Sequence, residues 1–154
     1  MKELLGKVIK GLYVNEDQSM LKFDTDQGDM IYLAEGDCCS ETWFADIMFG
    51  WKFFNSTVVS VTEIDVPDWV NKLVTNDKRT RQEYDLVYGY QIVVSAESRS
   101  AYESDNSKSC DVIFRNSSNG YYYGWCGLLD ESSKWAKEKL DEAEWTQITE
   151  DWQA

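Results

Sequence analysis

The stretch AEGDCCSETWFADIMF, Ala34 to Phe49, decides how the first half of the chain is read. Before it, MLKFDTDQGDMIYL (Met20 to Leu33) alternates apolar and polar residues around Asp26-Gln27-Gly28-Asp29, the pattern of a β-hairpin with a tight turn. Within the stretch the period changes. Trp43 or Phe44, then Ile47 or Met48, then Trp51 recur at helical spacing, which predicts a short amphipathic helix of about three turns. Gly36 permits a change of direction, and Asp37 or Ser40 can cap the helix by accepting from its orphan amides. Gly36, Asp37, Cys38, Cys39, Ser40 and Trp43 are therefore expected to form a strand-to-helix corner. At least one of the two thiols would fill tight space beside Trp43.

Working outward, KVIKGLYVN (Lys7 to Asn15) and TVVSVTEI (Thr57 to Ile64) read as strands. DVPDWVNKLV supplies a second helix, with Pro67 at its first position and Trp69, Val70, Leu73 and Val74 on one face. In DLVYGYQIVVS, Leu86, Tyr88, Tyr90, Ile92 and Val94 share one strand face. SCDVIFRNSSNGYYYGWCGLL reads as a second long hairpin turning near Ser118; in one of several registers Cys110 lies opposite Cys126. In the tail, Ala136, Leu140 and Ala143 form one helical stripe while Trp145, Ile148 and Trp152 fall on the other side, so the helix should end near Ala143. The expected fold class is α+β: a mostly antiparallel, twisted β-sheet of about six or seven strands with two or three short helices. Residues 1–154 form a single domain, and 131–154 an acidic C-terminal helix and tail.

The chain has 154 residues, 28 acids against 15 bases, a net charge of -13 and no histidine. The missing histidine removes Ser-His-Asp and Cys-His catalysis in their usual forms and every zinc site that needs imidazole. No Walker or GxGxxG loop occurs. The charge opposes direct nucleic-acid binding. With no apolar run near the length that spans a bilayer and no secretory leader, the expected location is cytoplasmic, the host cytosol if a phage encodes the chain.

Four cysteines without histidine could in principle form an all-cysteine zinc site. The adjacency of Cys38 and Cys39 opposes it, because paired ligands need intervening residues to aim both sulfurs at one ion. No metal and no cofactor is expected. RNSSNG is read as turn chemistry. Tyr121, Tyr123 and Trp125, placed on one strand face, are read as anchors for a protein partner. With the acids Glu138, Asp141, Glu142 and Glu144 of the tail and Asp24, Asp26 and Asp29 of the first hairpin, they make the candidate interaction surface.

At GDCCSETWF and RNSSNGYYYG the chain resembles small phage and bacterial proteins that share a domain of unknown function. They carry a GDCC-Ser motif after a hairpin and an NSSNGYY hairpin further on. The resemblance implies a phage or mobile-element setting and no particular chemistry. The expected function is a non-enzymatic acidic binding protein that inhibits a host defence protein, anti-CRISPR action included, through protein–protein contact with a basic surface; its sharpest form is a DNA mimic. The alternatives are a module binding a nucleotide-like small ligand, beneath the tyrosine hairpin or near the cysteine corner, and a carboxylate- or thiol-dependent enzyme.

Overall fold

Alternating apolar residues build most of this chain into strands, and the pairing of those strands sets where everything else lies. The computed structural model describes residues 1–50, 53–66, 79, 84–95, 108–120 and 123–154, with 84 and 85 as backbone. A 3₁₀ turn (Lys2–Leu4) leads into β1 (Val8–Asn15), β2 (Met20–Thr25), β3 (Gly28–Gly36), β4 (Ser40–Phe49) and β5 (Ser56–Ile64). β6 (Tyr84–Val94), β7 (Lys108–Ser118) and β8 (Gly124–Leu128) follow, then helix α1 (Lys134–Glu142), β9 (Trp145–Gln147) and β10 (Trp152–Gln153). The strands form one sheet in the order β10-β4-β7-β6-β5-β1-β2-β3-β8, with β9 beside β1. Every pairing is antiparallel.

This corrects the expected α+β class. The sheet has ten strands instead of six or seven, and the described residues hold one α-helix and one 3₁₀ turn. The expected helix after Ser40 is β4. The reason lies in a bulge: the β4–β7 register shifts between Phe44 and Asp46. The inserted residue puts Phe44 and Ile47, three apart, on the same inward face, and both join the main core. Trp43 through Ile47 are all buried, so the two-residue alternation of a half-exposed strand disappears. The helix expected from Pro67 lies outside the described residues.

The second long hairpin is also corrected. β7 pairs with β4 on one side and β6 on the other, while β8 crosses to β3. Cys126 therefore stands opposite Ala34, and Cys110 opposite Phe49 and Ile92. Alternation states which residues share a face but not which strand they pair with. The first hairpin, β2–β3, turns at Asp26-Gln27 where its turn residues placed it. Helix α1 ends at Glu142 with Ala143 as C-cap, and the split tail continues as β9 and β10.

Further register shifts in β1–β2 and β5–β6 add to the twist, and the long sheet curls until its ends meet. A Cβ on Gly36 or Gly124, near the β8 end, would run into Thr42 of β4. Inside the curl lie Leu12, Phe23, Tyr32, Phe44, Ile47, Ile92 and Val112. A smaller cluster sits outside, where Ala136 of α1 covers Met20, Ile31, Leu33 and Leu129. Ser133 caps α1, its hydroxyl accepting from the Ala136 amide.

Candidate functional site

The inner face of the sheet changes character along its length. On β5 and β6, half-buried Val61 opposes the core residue Ile92, and one step further Glu63 opposes Tyr90. Directly opposed residues share a face, so an exposed carboxylate enters the row that began as valine. Tyr88 continues that row on β6 and stands opposite Phe114 of β7. The three rings form a nearly parallel shelf: Tyr88 and Phe114 have centroids 4.9 Å apart at 18°, Tyr90 and Phe114 6.0 Å apart at 14°.

β8 stands across from this shelf, leaving an open cleft of about 710 Å³. Its walls are Gly124, Trp125 and Cys126 on one side and Tyr88, Tyr90 and Phe114 on the other, with Glu63 and Asp65 at the mouth. Its volume is typical of small-ligand pockets. No lysine or arginine is among the described lining residues. Burial holds the Tyr90 hydroxyl above its ordinary value, and the charges of Cys126, Glu63 and Glu3 act in the same direction. Tyr88 is raised by burial and by the neighbouring Tyr123. Both phenols therefore stay neutral at physiological pH. The Cys126 thiol, pushed up to about 12 chiefly by burial, is no nucleophile. Such a cleft offers π-faces and carboxylates, and that combination recognises an organic cation.

Gly89 shows how closely β6 is packed on its other face. A Cβ there would come within 2.8 Å of Ile64 and 3.0 Å of Ile113. On the outer face of β4 and β7, Arg115 and Asp46 are both buried. Burial raises the Asp46 carboxyl, while the Arg115 charge and a hydrogen bond from Gln153 oppose the rise. Trp43 lies on this side under the Arg79 guanidinium, 4.5 Å from its ring centroid.

The sequence-predicted surface is divided. Trp125 is 45% exposed and Tyr123 62%, both beside the cleft; Tyr121 lies outside the described residues. By register Trp125 opposes Glu35, on the outer side of the sheet that carries α1. Glu138, Asp141, Glu142 and Glu144 are exposed on or just after α1, with Glu138 paired to Lys134 at 3.8 Å. Asp24 and Asp29 oppose each other across β2–β3. Asp26 has a structural task, accepting from the Val8 amide at 2.9 Å.

The corner reading is corrected as well. Gly36 to Ser40 join one strand to another, so Asp37 and Ser40 cap no helix. The Ser40 amide and hydroxyl both donate to the Asp37 carbonyl, closing a tight turn. Cys38 and Cys39 are exposed, and neither fills space beside buried Trp43. The residues missed from sequence are Glu63 and Asp65. Their signal was available: in TVVSVTEID they continue the phase of Val61.

Among the described residues no group of three or more acidic or thiol side chains is placed to hold a metal, and no helix is long and apolar enough to cross a membrane. No protein-family model matches the chain, and no solved structure matches it. A relative is the uncharacterized protein L278 of Acanthamoeba polyphaga mimivirus, 30% identical over 122 residues, covering 76% of this chain and 82% of the relative.

Proposed function

We propose a function from one premise: the chain belongs to the family of the mimivirus protein L278. It is a non-enzymatic binding protein whose acid–aromatic cleft takes a lysine or arginine side chain from a basic surface of a partner protein. The observation that carries this reading is the placement of Glu63 in the inward row of Val61, beside Asp65, Tyr90, Tyr88 and Phe114. An ammonium or guanidinium entering there meets carboxylates for its charge and ring faces for its stem. The relative is viral and uncharacterized, so it bears on the setting of an inhibitor and not on its target. The exposed acids of α1 and of the β2–β3 tip would then raise the encounter rate with a basic partner.

The same carboxylates repel phosphate, which disfavours the nucleotide-like alternative for this cleft. The thiol-dependent enzymatic alternative gains no support from a cleft whose thiol and phenols are held protonated. DNA mimicry is the sharper form of the inhibitor reading, and competition by duplex DNA for the partner would support it.

A fluorescence titration with a short lysine-containing peptide and with its lysine-acetylated counterpart tests the proposal. Saturable binding of the first, weakened by salt and lost on acetylation, is expected. Equal affinity for both peptides would show that the cleft does not read the cation.

A further inference from the structure

Adjacent residues of an extended strand point their side chains to opposite sides. Cys38 and Cys39 do not follow that rule. Cys39 has φ +67°, the left-handed conformation that few residues other than glycine adopt. The turn from Asp37 to Ser40 holds this conformation, the Ser40 amide and hydroxyl donating to the Asp37 carbonyl at 3.1 and 2.9 Å. As a result the two Sγ atoms lie 3.3 Å apart, on the exposed tip between β3 and β4.

From this geometry we infer that Cys38 and Cys39 form a reversible dithiol modification site, which small-molecule disulfides of the glutathione class oxidise to a ring. In the first step one thiol, as thiolate, attacks the small disulfide, forming a mixed disulfide and releasing one small thiol. In the second step the neighbouring thiolate attacks the protein-side sulfur and expels the other. Two protein S–H bonds and one S–S bond become one protein S–S bond and two small thiols. Two electrons pass from the pair to the small disulfide, and the two protons end on the released thiols.

The remaining cysteines take no part. Cys110 is fully buried with its thiol raised well above the ordinary range by burial, and Cys126 faces the cleft from another strand. The Cys39 thiol is raised by its hydrogen bond to Cys38 and by that neighbour's charge, as expected for two sulfurs sharing a proton. The ring is reversible for a geometric reason. Adjacent Cα atoms are about 3.8 Å apart, shorter than the usual disulfide span of about 4.4–6.8 Å. The closed ring is therefore strained, and strained disulfides are the labile ones. The turn also lies next to the cleft wall, since the Asp37 amide donates at 3.1 Å to the carbonyl of Tyr123, the residue before Gly124.

The test exposes folded protein to excess oxidised glutathione and reads the intact mass and the fragment holding both cysteines. Wild type should lose the mass of two hydrogens within that fragment, stay monomeric on a non-reducing gel, and regain its mass on reduction. Cys38→Ser and Cys39→Ser should each hold one glutathionyl group instead, because the second attack has no nucleophile. A glutathionyl adduct that persists on wild type would overturn the inference. So would covalent dimers, loss of hydrogens mapping to Cys110 or Cys126, or no reaction.

Discussion

Replacing Gly124 by alanine probes the point where the curled sheet meets itself. A Cβ on Gly124 would run into Thr42 Oγ1 and come within 2.5 Å of Asn116 Nδ2 and 2.9 Å of its Cγ. Neither neighbour can yield freely. Asn116 is fully buried, and its amide donates to Thr42 Oγ1 at 2.8 Å. Overpacking costs about 1–3 kcal/mol, and turning the Asn116 amide away removes a hydrogen bond worth about 1 kcal/mol. Gly124→Ala should therefore destabilise the protein by about 2–4 kcal/mol. In urea unfolding followed by tryptophan fluorescence, the midpoint should fall by about 1–2 M with an unchanged slope, for an m-value of about 2 kcal/mol/M. Combining it with Thr42→Ala should recover about 1 kcal/mol or more in a double-mutant cycle. A single-mutant loss below about 0.5 kcal/mol, the ordinary surface range, would refute the packing of β8 against β4 and β7.

Gly89→Ala should cost about 1–3 kcal/mol in the same assay, because its Cβ meets Ile64 and Ile113 on the packed face of β6. Arg115→Gln removes the charge that opposes the raised Asp46 carboxyl and should destabilise by about 3–5 kcal/mol. The Asp46 carboxyl should titrate still higher by NMR; a raised carboxyl loses its stabilising contribution as pH rises through its folded value, so the deficit should be larger at neutral than at acid pH. Asp17 carries the opposite sign. Burial, the largest influence, raises it, but hydrogen bonds from Ser19 and Asn15 and the charge of Lys139 together lower it. Its stabilisation is present above the unfolded carboxyl value and lost as pH falls through the folded one. Asp17→Asn, at a largely exposed site, should cost about 0.5–1 kcal/mol at neutral pH and nothing in strong acid, read from urea midpoints across pH.

Several elements were legible from sequence because one local signal fixed each. The β2–β3 turn needed only Asp26 to Asp29, the end of α1 only the split between Leu140 and Trp145, and the face of β6 only the alternation from Tyr88 to Val94. β4 was misread because burial on both faces and a bulge gave Phe44 and Ile47 a helical spacing. The partner of β8 was misplaced because pairing is a long-range property that no short pattern encodes. At the site, the aromatic half was visible in β6 as a strand face. The acidic half was hidden among 28 acids, and only the register of β5 on β6 separates Glu63 from the rest. The cysteine corner is legible as a corner, but the usual burial of free cysteine points at least one of its thiols inward, and both are exposed.

On the proposed reading, Glu63 and Asp65 give the aromatic cleft its preference for a cation. The direct measurement is calorimetric titration of the same lysine-containing peptide into wild type and into the Glu63→Gln/Asp65→Asn double variant at matched salt. Each substitution keeps size and removes charge at an exposed position, so the fold should be unaffected. The double variant should bind about tenfold or more weakly, a difference of at least about 1.4 kcal/mol. Equal affinity for both proteins would contradict it and move the partner's site to another part of the acidic surface.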